Sequence, residues 1–272
     1  MGRLNLSTSL GGALLIVSTG VAFAADMPSV PPVPVPVGGA WYLRGDIGMT
    51  NQSVGSLFNV LDATAETLTT VSKDFDSSPF VGIGLGYKFN DHFRADITGE
   101  YRGAASFHGL QIYDNPDDDP PTSGTDEYTA KKSELTFLAN AYWDITTWRG
   151  ITPFVGAGIG ASYNTISGFT DVNTPNNGVA YGATASQWSL AWALYAGLDY
   201  QVTDNLVIEA AYRYISLGNA HSGDLCAYDD PTCGTYNPEE FRNLTSQDFK
   251  VGFRWYFDAP RQQSYYPPVV KY

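Results

Sequence analysis

The sequence predicts an all-β chain, an eight-stranded antiparallel transmembrane β-barrel with four long external loops. Three observations lead there. First, Asp248–Phe257 carries a large apolar residue at every second position from Phe249 to Phe257, with Asp248, Lys250 and Arg254 between them. A period of two is a strand period and sorts one kind of side chain to each face. Grease on one face and charge on the other is what a closed barrel in lipid needs. Second, Met1–Ala24 reads as a secretory signal, with Arg3, an apolar run over Leu10–Val21, and Ala22-Phe23-Ala24 as the small-x-small cleavage site. Third, the connections between period-two segments alternate long and short, as external loops and periplasmic turns do. A soluble sandwich or lipocalin-like barrel shares the alternation with its faces reversed. The signal, the terminal strand and the loop asymmetry decide for the membrane.

Taken in order, residues 1–24 are the signal. Removing those 24 from 272 residues leaves 248, and the loss of Arg3 leaves 14 bases against 28 acids, a net charge of −14. That balance argues against a nucleic-acid partner. Residues 25–39, Pro-rich over Pro28–Val37, form an extended periplasmic spacer. The barrel occupies 40–257. Its strands are Trp41–Met49, Phe80–Phe89, Phe93–Arg102, Glu134–Asp144, Phe154–Tyr163, Trp188–Val202, Leu206–Ile215 and Asp248–Phe257. Most have about nine to eleven residues, the length a tilted strand needs to cross a bilayer. Residues 258–272 form a Tyr- and Pro-rich periplasmic tail. The mean hydropathy of −0.17 looks soluble only because alternating strands average out.

The register assigns five positions per strand to lipid, from Trp41, Leu43, Gly45, Ile47 and Met49 in the first to Phe249, Val251, Phe253, Trp255 and Phe257 in the last. None of these positions is charged. The opposite face holds Arg44, Lys88, Arg94, Arg102, Arg213, Lys250 and Arg254 with Asp46, Asp96, Glu100, Glu134, Asp144, Asp199, Glu209 and Asp248. A charge facing lipid costs about 2–4 kcal/mol at the midplane, so these fifteen fix the register. Near-balance of bases and acids predicts a paired, plugged interior over a gated ion path. Gly82, Gly84, Gly86, Gly156, Gly158 and Gly160 face inward and leave room for long side chains from elsewhere in the wall. In the last strand, Arg at 251 would face lipid and block assembly, whereas Arg at 252 would face the lumen and be better tolerated, at some cost in crowding.

The long loops fall near 50–79, 103–133, 164–187 and 216–247; the short turns carry Asn and Asp. An even strand count returns both ends to the periplasm, where Trp41, Phe89, Phe93, Trp143, Tyr200 and Phe257 form an interfacial belt. The loops hold 16 acids and four bases. Asp114-Asn115-Pro116-Asp117-Asp118-Asp119 invites a calcium reading but lacks the EF-hand spacing, and a solvated acidic loop explains it better. Cys226 and Cys233 share the fourth loop in an oxidising compartment, which predicts a local disulfide. His92, His108 and His221 match no metal or haem spacing; the last two could contact haemin from the loops. His221-Ser222-Gly223-Asp224 places triad residue types side by side, yet neighbours in one loop rarely form a triad. No cofactor, metal site or catalytic residue is expected.

Several segments resemble one family. Trp41-Tyr42-Leu43-Arg44-Gly45-Asp46-Ile47-Gly48, Phe80-Val81-Gly82-Ile83-Gly84-Leu85-Gly86-Tyr87, Ile151-Thr152-Pro153-Phe154-Val155-Gly156-Ala157-Gly158-Ile159-Gly160, Ala193-Leu194-Tyr195-Ala196-Gly197-Leu198-Asp199-Tyr200 and the final strand are similar to the alphaproteobacterial outer-membrane immunogenic, opacity-like β-barrel family, related in fold to the outer-membrane protein A transmembrane domain. The resemblance covers the mature chain apart from its loops. It implies a non-enzymatic surface protein that stabilises the envelope in outer-membrane lipid and lipopolysaccharide, with members that act as adhesins, haemin binders or narrow pores. It also implies that the barrel-assembly machinery reads Phe249, Val251, Phe253, Trp255 and Phe257. The tail after Phe257 departs from the family pattern and could touch peptidoglycan, while the loops could meet a host surface.

Overall fold

The computed structural model describes residues 39–60, 67–117, 120–228, 233 and 237–257. The signal (1–24), the spacer apart from Gly39 and the tail (258–272) lie outside them. Eleven strands are found among the described residues: β1 (Ala40–Ser53), β2 (Ser56–Phe58), β3 (Thr67–Phe75), β4 (Ser78–Lys88), β5 (Phe93–Asn115), β6 (Thr122–Asp144), β7 (Ile151–Asn173), β8 (Gly178–Gly182), β9 (Ala185–Gln201), β10 (Leu206–Ala227) and β11 (Pro238–Tyr256).

Antiparallel pairings run β1–β4, β4–β5, β5–β6, β6–β7, β7–β9, β9–β10, β10–β11 and β11–β1. They close a ring of eight staves. Closure leaves no sheet edge in lipid, where an unpaired backbone group has no water to turn to. The three remaining strands prolong staves. β2 continues β1 past Val54-Gly55, β3 leads into β4 across Asp76-Ser77, and β8 leads into β9 across Ala183-Thr184.

Along the ring the outward row is the apolar one. Ile47, Ile83, Ile97 and Phe249 are each at least 65% exposed, while Arg44, Arg94, Arg102 and Arg213 between such rows are at most 1% exposed. Trp41, Phe89, Phe93, Trp143, Tyr200 and Phe257 stand outward at the short-turn end. At the other end Tyr101, Leu135, Tyr163 and Trp188 are direct cross-strand neighbours, a second girdle of the kind that marks a membrane interface.

The long connections differ from expectation. Most of 103–133, 164–187 and 216–247 is strand, because β5, β6, β7 and β10 each run 22 or 23 residues and β11 runs 19. The backbone pairs with itself well beyond the girdle, and β7 passes to β8 through a turn at 174–177. Where the staves leave the lipid, the ladder breaks or bulges: between Arg102 and Ala105, between Thr129 and Lys131 opposite Gly168, and between Ser216, Gly218 and Ala220. Gly168 (φ 59°), Gly218 (φ 70°) and Asn243 (φ 56°) adopt the left-handed backbone that such bulges use. A one-residue bulge flips the parity of everything above it. On β5 the inward residues are therefore Arg94, Asp96, Thr98, Glu100 and Arg102 in the membrane, but Ala105, Phe107 and Gly109 above it.

Candidate functional site: the filled interior and its external cap

Two ion-pair clusters occupy the lumen. The one nearer the short turns centres on Glu209 of β10. Its carboxylate meets Arg44 of β1 (2.9 Å), Arg254 of β11 (2.6 Å), Lys250 of β11 (3.2 Å) and Arg94 of β5 (3.8 Å). The same bases reach Asp46, Asp96, Asp144 and Asp199. Arg94 also lies over the rings of Tyr142 and Phe154, 4.0 and 4.6 Å from their centroids, so its apolar faces are covered too. Tyr42 donates to Asp96 (3.0 Å), Asn140 donates to the other Asp96 oxygen (2.8 Å), and Tyr195 donates to Asn140 (2.8 Å).

The second cluster is stacked toward the outside. Arg213 of β10 holds Glu100 of β5 and Asp248 of β11, each at 2.7 Å. Arg102 holds Asp248 at 2.7 Å and Glu134 at 2.6 Å, and Lys132 holds Glu134 at 2.5 Å. Phe80 lies beneath both Arg102 and Arg213. Bases and acids are three and three here, against four and five in the first cluster. Desolvating this many charges is costly unless each finds partners, and breaking one pair leaves a buried charge behind.

Fourteen of the fifteen sequence-assigned lumen charges sit in these clusters. Lys88 does not. It is half-buried at the short-turn mouth, beside a cavity of about 50 Å³ whose walls include Asp144, Asp199 and Arg254. Lys132 takes a place that sequence reading did not give it, because the fourth strand was begun at Glu134; continuing the same parity by two residues would have included it. The inward glycines make the lumen habitable. A Cβ at Gly82 would press on Glu100, at Gly84 on Arg44, at Gly86 on Tyr42 and at Gly156 on Tyr142. Gly252 corrects an expectation: its Cβ would overlap Asp46 and lie 2.7 Å from the Gly45 carbonyl oxygen, so the lumen has no room for Arg there.

Above the charges the interior turns apolar. Phe75, Phe107, Tyr128, Ile166, Phe169, Leu217, Phe241 and Leu244 are all buried. Phe107 packs on Phe75 (4.9 Å between centroids) and Phe241 (5.0 Å), and Phe169 packs on Tyr128 (5.5 Å). Six staves therefore contribute to one cap. Sequence reading missed it because the parity switches at the bulges and the segments looked like loops. Asp126, buried in this external part of β6, has its carboxyl pushed upward by desolvation.

Among the described residues, the remaining sequence candidates lie apart from one another or are engaged locally. Cys226 and Cys233 are disulfide-bonded. His92 sits in a short turn with Nδ1 3.0 Å from the Asp144 carbonyl oxygen. His108 and His221 lie on β5 and β10, four staves apart in a ring of eight, with inward neighbours on either side; they point away from the barrel in opposite directions and cannot grip one haemin together. Ser222 donates to the Gly223 carbonyl, and Asp224 accepts from the Asn237 amide, so His221, Ser222 and Asp224 make no triad. Asp114 and Asp117 are exposed; 118 and 119 lie outside the described residues. Phe249, Val251, Phe253, Trp255 and Phe257 face outward on the closing stave.

Residues 38–257 match the family described as "Outer membrane protein beta-barrel domain". An uncharacterized protein of Brucella suis biovar 1 is 34% identical over 244 residues, covering 77% of this chain and 81% of that protein. A Rickettsia felis protein named "Putative adhesin" is 28% identical over 216 residues, covering 76% and 81%. The crystal structure of the outer membrane protein OprG from Pseudomonas aeruginosa aligns with a TM-score of 0.45 at 15% identity, over 81% of this chain and 97% of that one. The family match spans the whole ring of staves and the cap above it, and this chain belongs to the outer membrane protein β-barrel domain family, as an integral protein of the cell outer membrane.

Proposed function

We propose that the protein is a non-enzymatic surface barrel that stabilises the envelope and meets its surroundings through the external extension. One observation carries this reading: the lumen is filled by two ion-pair layers beneath an apolar cap, which leaves the outer walls and tips as the working surface. The Rickettsia felis relative's name fits a surface-contact role. In planar bilayers the purified barrel is expected to give no steady unitary conductance at physiological salt. Steady channels would overturn the sealed-lumen reading and favour the narrow-pore alternative.

The partners follow from position. Residues 1–24 are removed on export, the outward row Phe249–Phe257 is read by the barrel-assembly machinery, and lipopolysaccharide surrounds the external half. The spacer (25–39) and the tail (258–272) face the periplasm, where peptidoglycan is in reach. The tips face outward, where a host surface is. Haemin capture has less support, since the two loop histidines point apart.

A further inference from the structure

Beyond the membrane the ring of staves opens on one side. The ladder between β1 and β4 runs from Ala40 opposite Lys88 to Thr50 opposite Ser78, and β1 then meets β3 at Ser53 opposite Asp74. Past that point β2 pairs with β11 and β3 pairs with β5. Among the described residues no strand joins β2 to β3, so each keeps one edge without a ladder partner. The Lys73 ammonium donates to the Gly55 carbonyl at the foot of the gap and ties the two staves there. Exposure agrees with an open wall. Leu68 and Thr70 lie on the inward face, opposite Tyr113 and the buried Gln111, yet both are exposed.

A free strand edge is a template for another chain unless bulges, charges or proline guard it. On β3 the guards sit at the lower end, as the register shift at Val71 and as Lys73. Above them Thr67-Leu68-Thr69-Thr70 has no charge, proline or glycine and is exposed throughout. Its surroundings are acidic. Asp114 stands opposite Thr67 at the top, Asp74 and Asp76 stand at the foot, and all three are exposed. We infer that β3 takes up an extended segment of a protein outside the cell as an added strand, with an uncharged, β-branched middle and Lys or Arg at both ends. The Thr67–Thr70 backbone supplies the ladder, which gives affinity, and the carboxylates select the basic flanks. A second copy of this chain fits less well, since it would set the same acids against one another. This assignment rests on the reading of the extension as the contact surface and names the class of partner.

The test uses the folded protein in detergent micelles and a dye-labelled synthetic peptide, Lys-Lys-Thr-Val-Thr-Val-Thr-Val-Lys-Lys, with Kd read by fluorescence anisotropy. Two relatives are titrated beside it. One has Glu for every Lys. The other has Pro for every Val, which keeps the charge but cannot form a ladder. The lysine peptide is expected to bind about tenfold tighter than either, the worth of one or two net hydrogen bonds in the proline case. It should also slow amide exchange within residues 67–71. Asp74→Asn with Asp114→Asn should narrow the gap between the lysine and glutamate peptides. Val71→Lys should weaken the lysine peptide, while Val71→Thr should not. The inference is overturned if the lysine peptide does not bind, if the proline or glutamate peptide binds as well, or if protection appears away from β3. A dimer of the native protein in sedimentation that Val71→Lys dissolves would also overturn it, by giving the edge to a second copy. The three peptides on the native protein decide the matter even where a variant fails to fold. Bilayer conductance is measured separately: steady channels with peptide binding intact count against the sealed surface barrel, and lost binding without channels counts against this edge alone.

Discussion

Arg213 and Glu100, 113 residues apart, meet face to face inside the barrel, with Nη1 to Oε1 at 2.7 Å and Nη2 to Oε2 at 2.8 Å. A bidentate guanidinium–carboxylate pair is directional as well as strong. It ties β10 to β5 across the lumen, and its geometry ranks two substitutions. Arg213→Met leaves Glu100 without its base and Asp248 with Arg102 and the Ser246 hydroxyl; uncompensated burial of this kind costs about 3–5 kcal/mol. Glu100→Gln leaves Arg213 still held by Asp248 and should cost clearly less. Urea unfolding in micelles measures both, and the reverse order would contradict this assignment of partners.

The last stave supplies a second comparison. Val251 faces lipid, so Val251→Arg should cost about 2–4 kcal/mol and lower the folded fraction. Gly252 faces inward, where an added Cβ would press on the Gly45 carbonyl and Asp46. Even Gly252→Ala is then an overpacking change worth about 1–3 kcal/mol, while Val251→Ala, exposed to lipid, should cost less. Folded fractions on unheated gels read this directly.

How much of this was legible in the sequence depends on where parity holds. Within the membrane it holds for every stave, so Arg44, Glu209 and Arg254 could be assigned inward from alternation alone. Their partners could not: Glu209 receives bases from β1, β5 and β11, and which stave lies opposite depends on the shear of the closed ring. Above the girdle, Phe107 and Phe241 were hidden by bulges at 103–104 and 242–243. The clue was local: Gly168, Gly218 and Asn243 are residue types that accept positive φ.

The external cap should be a stability unit of its own. Phe107 is fully buried between Phe75 and Phe241, so Phe107→Ala should cost about 3–5 kcal/mol. The loss should appear as faster proteolysis of 103–133 with the membrane ring still folded on gels. Collapse of the whole barrel would show that the cap and the ring fold as one.

The tip held by Cys226–Cys233 is a smaller device. Closing an eight-residue ring is worth about 2–3 kcal/mol by chain entropy, spent on the tip rather than the staves. Cys226→Ser with Cys233→Ser should leave heat-modifiability intact and speed cleavage within 228–237. If the barrel no longer folds, the bond is needed for assembly as well.

Asp126 sets a pH dependence confined to the extension. Burial raises its carboxyl above the ordinary value, so the folded extension holds this proton more tightly than the unfolded chain does. Stability from this group is therefore full below the ordinary carboxylate pKa. It is lost as pH rises from that value through the raised one. The extension should thus be more protected from amide exchange around residues 124–128 in mild acid than at neutral pH. Asp126→Asn, neutral throughout, should flatten that profile while preserving the pairing with Gln111 across β5. A profile that keeps its slope in the variant would assign the effect to another group. One that rises with pH in the native protein would mean that Asp126 is stabilised as the anion, by a cation its surroundings do not explain.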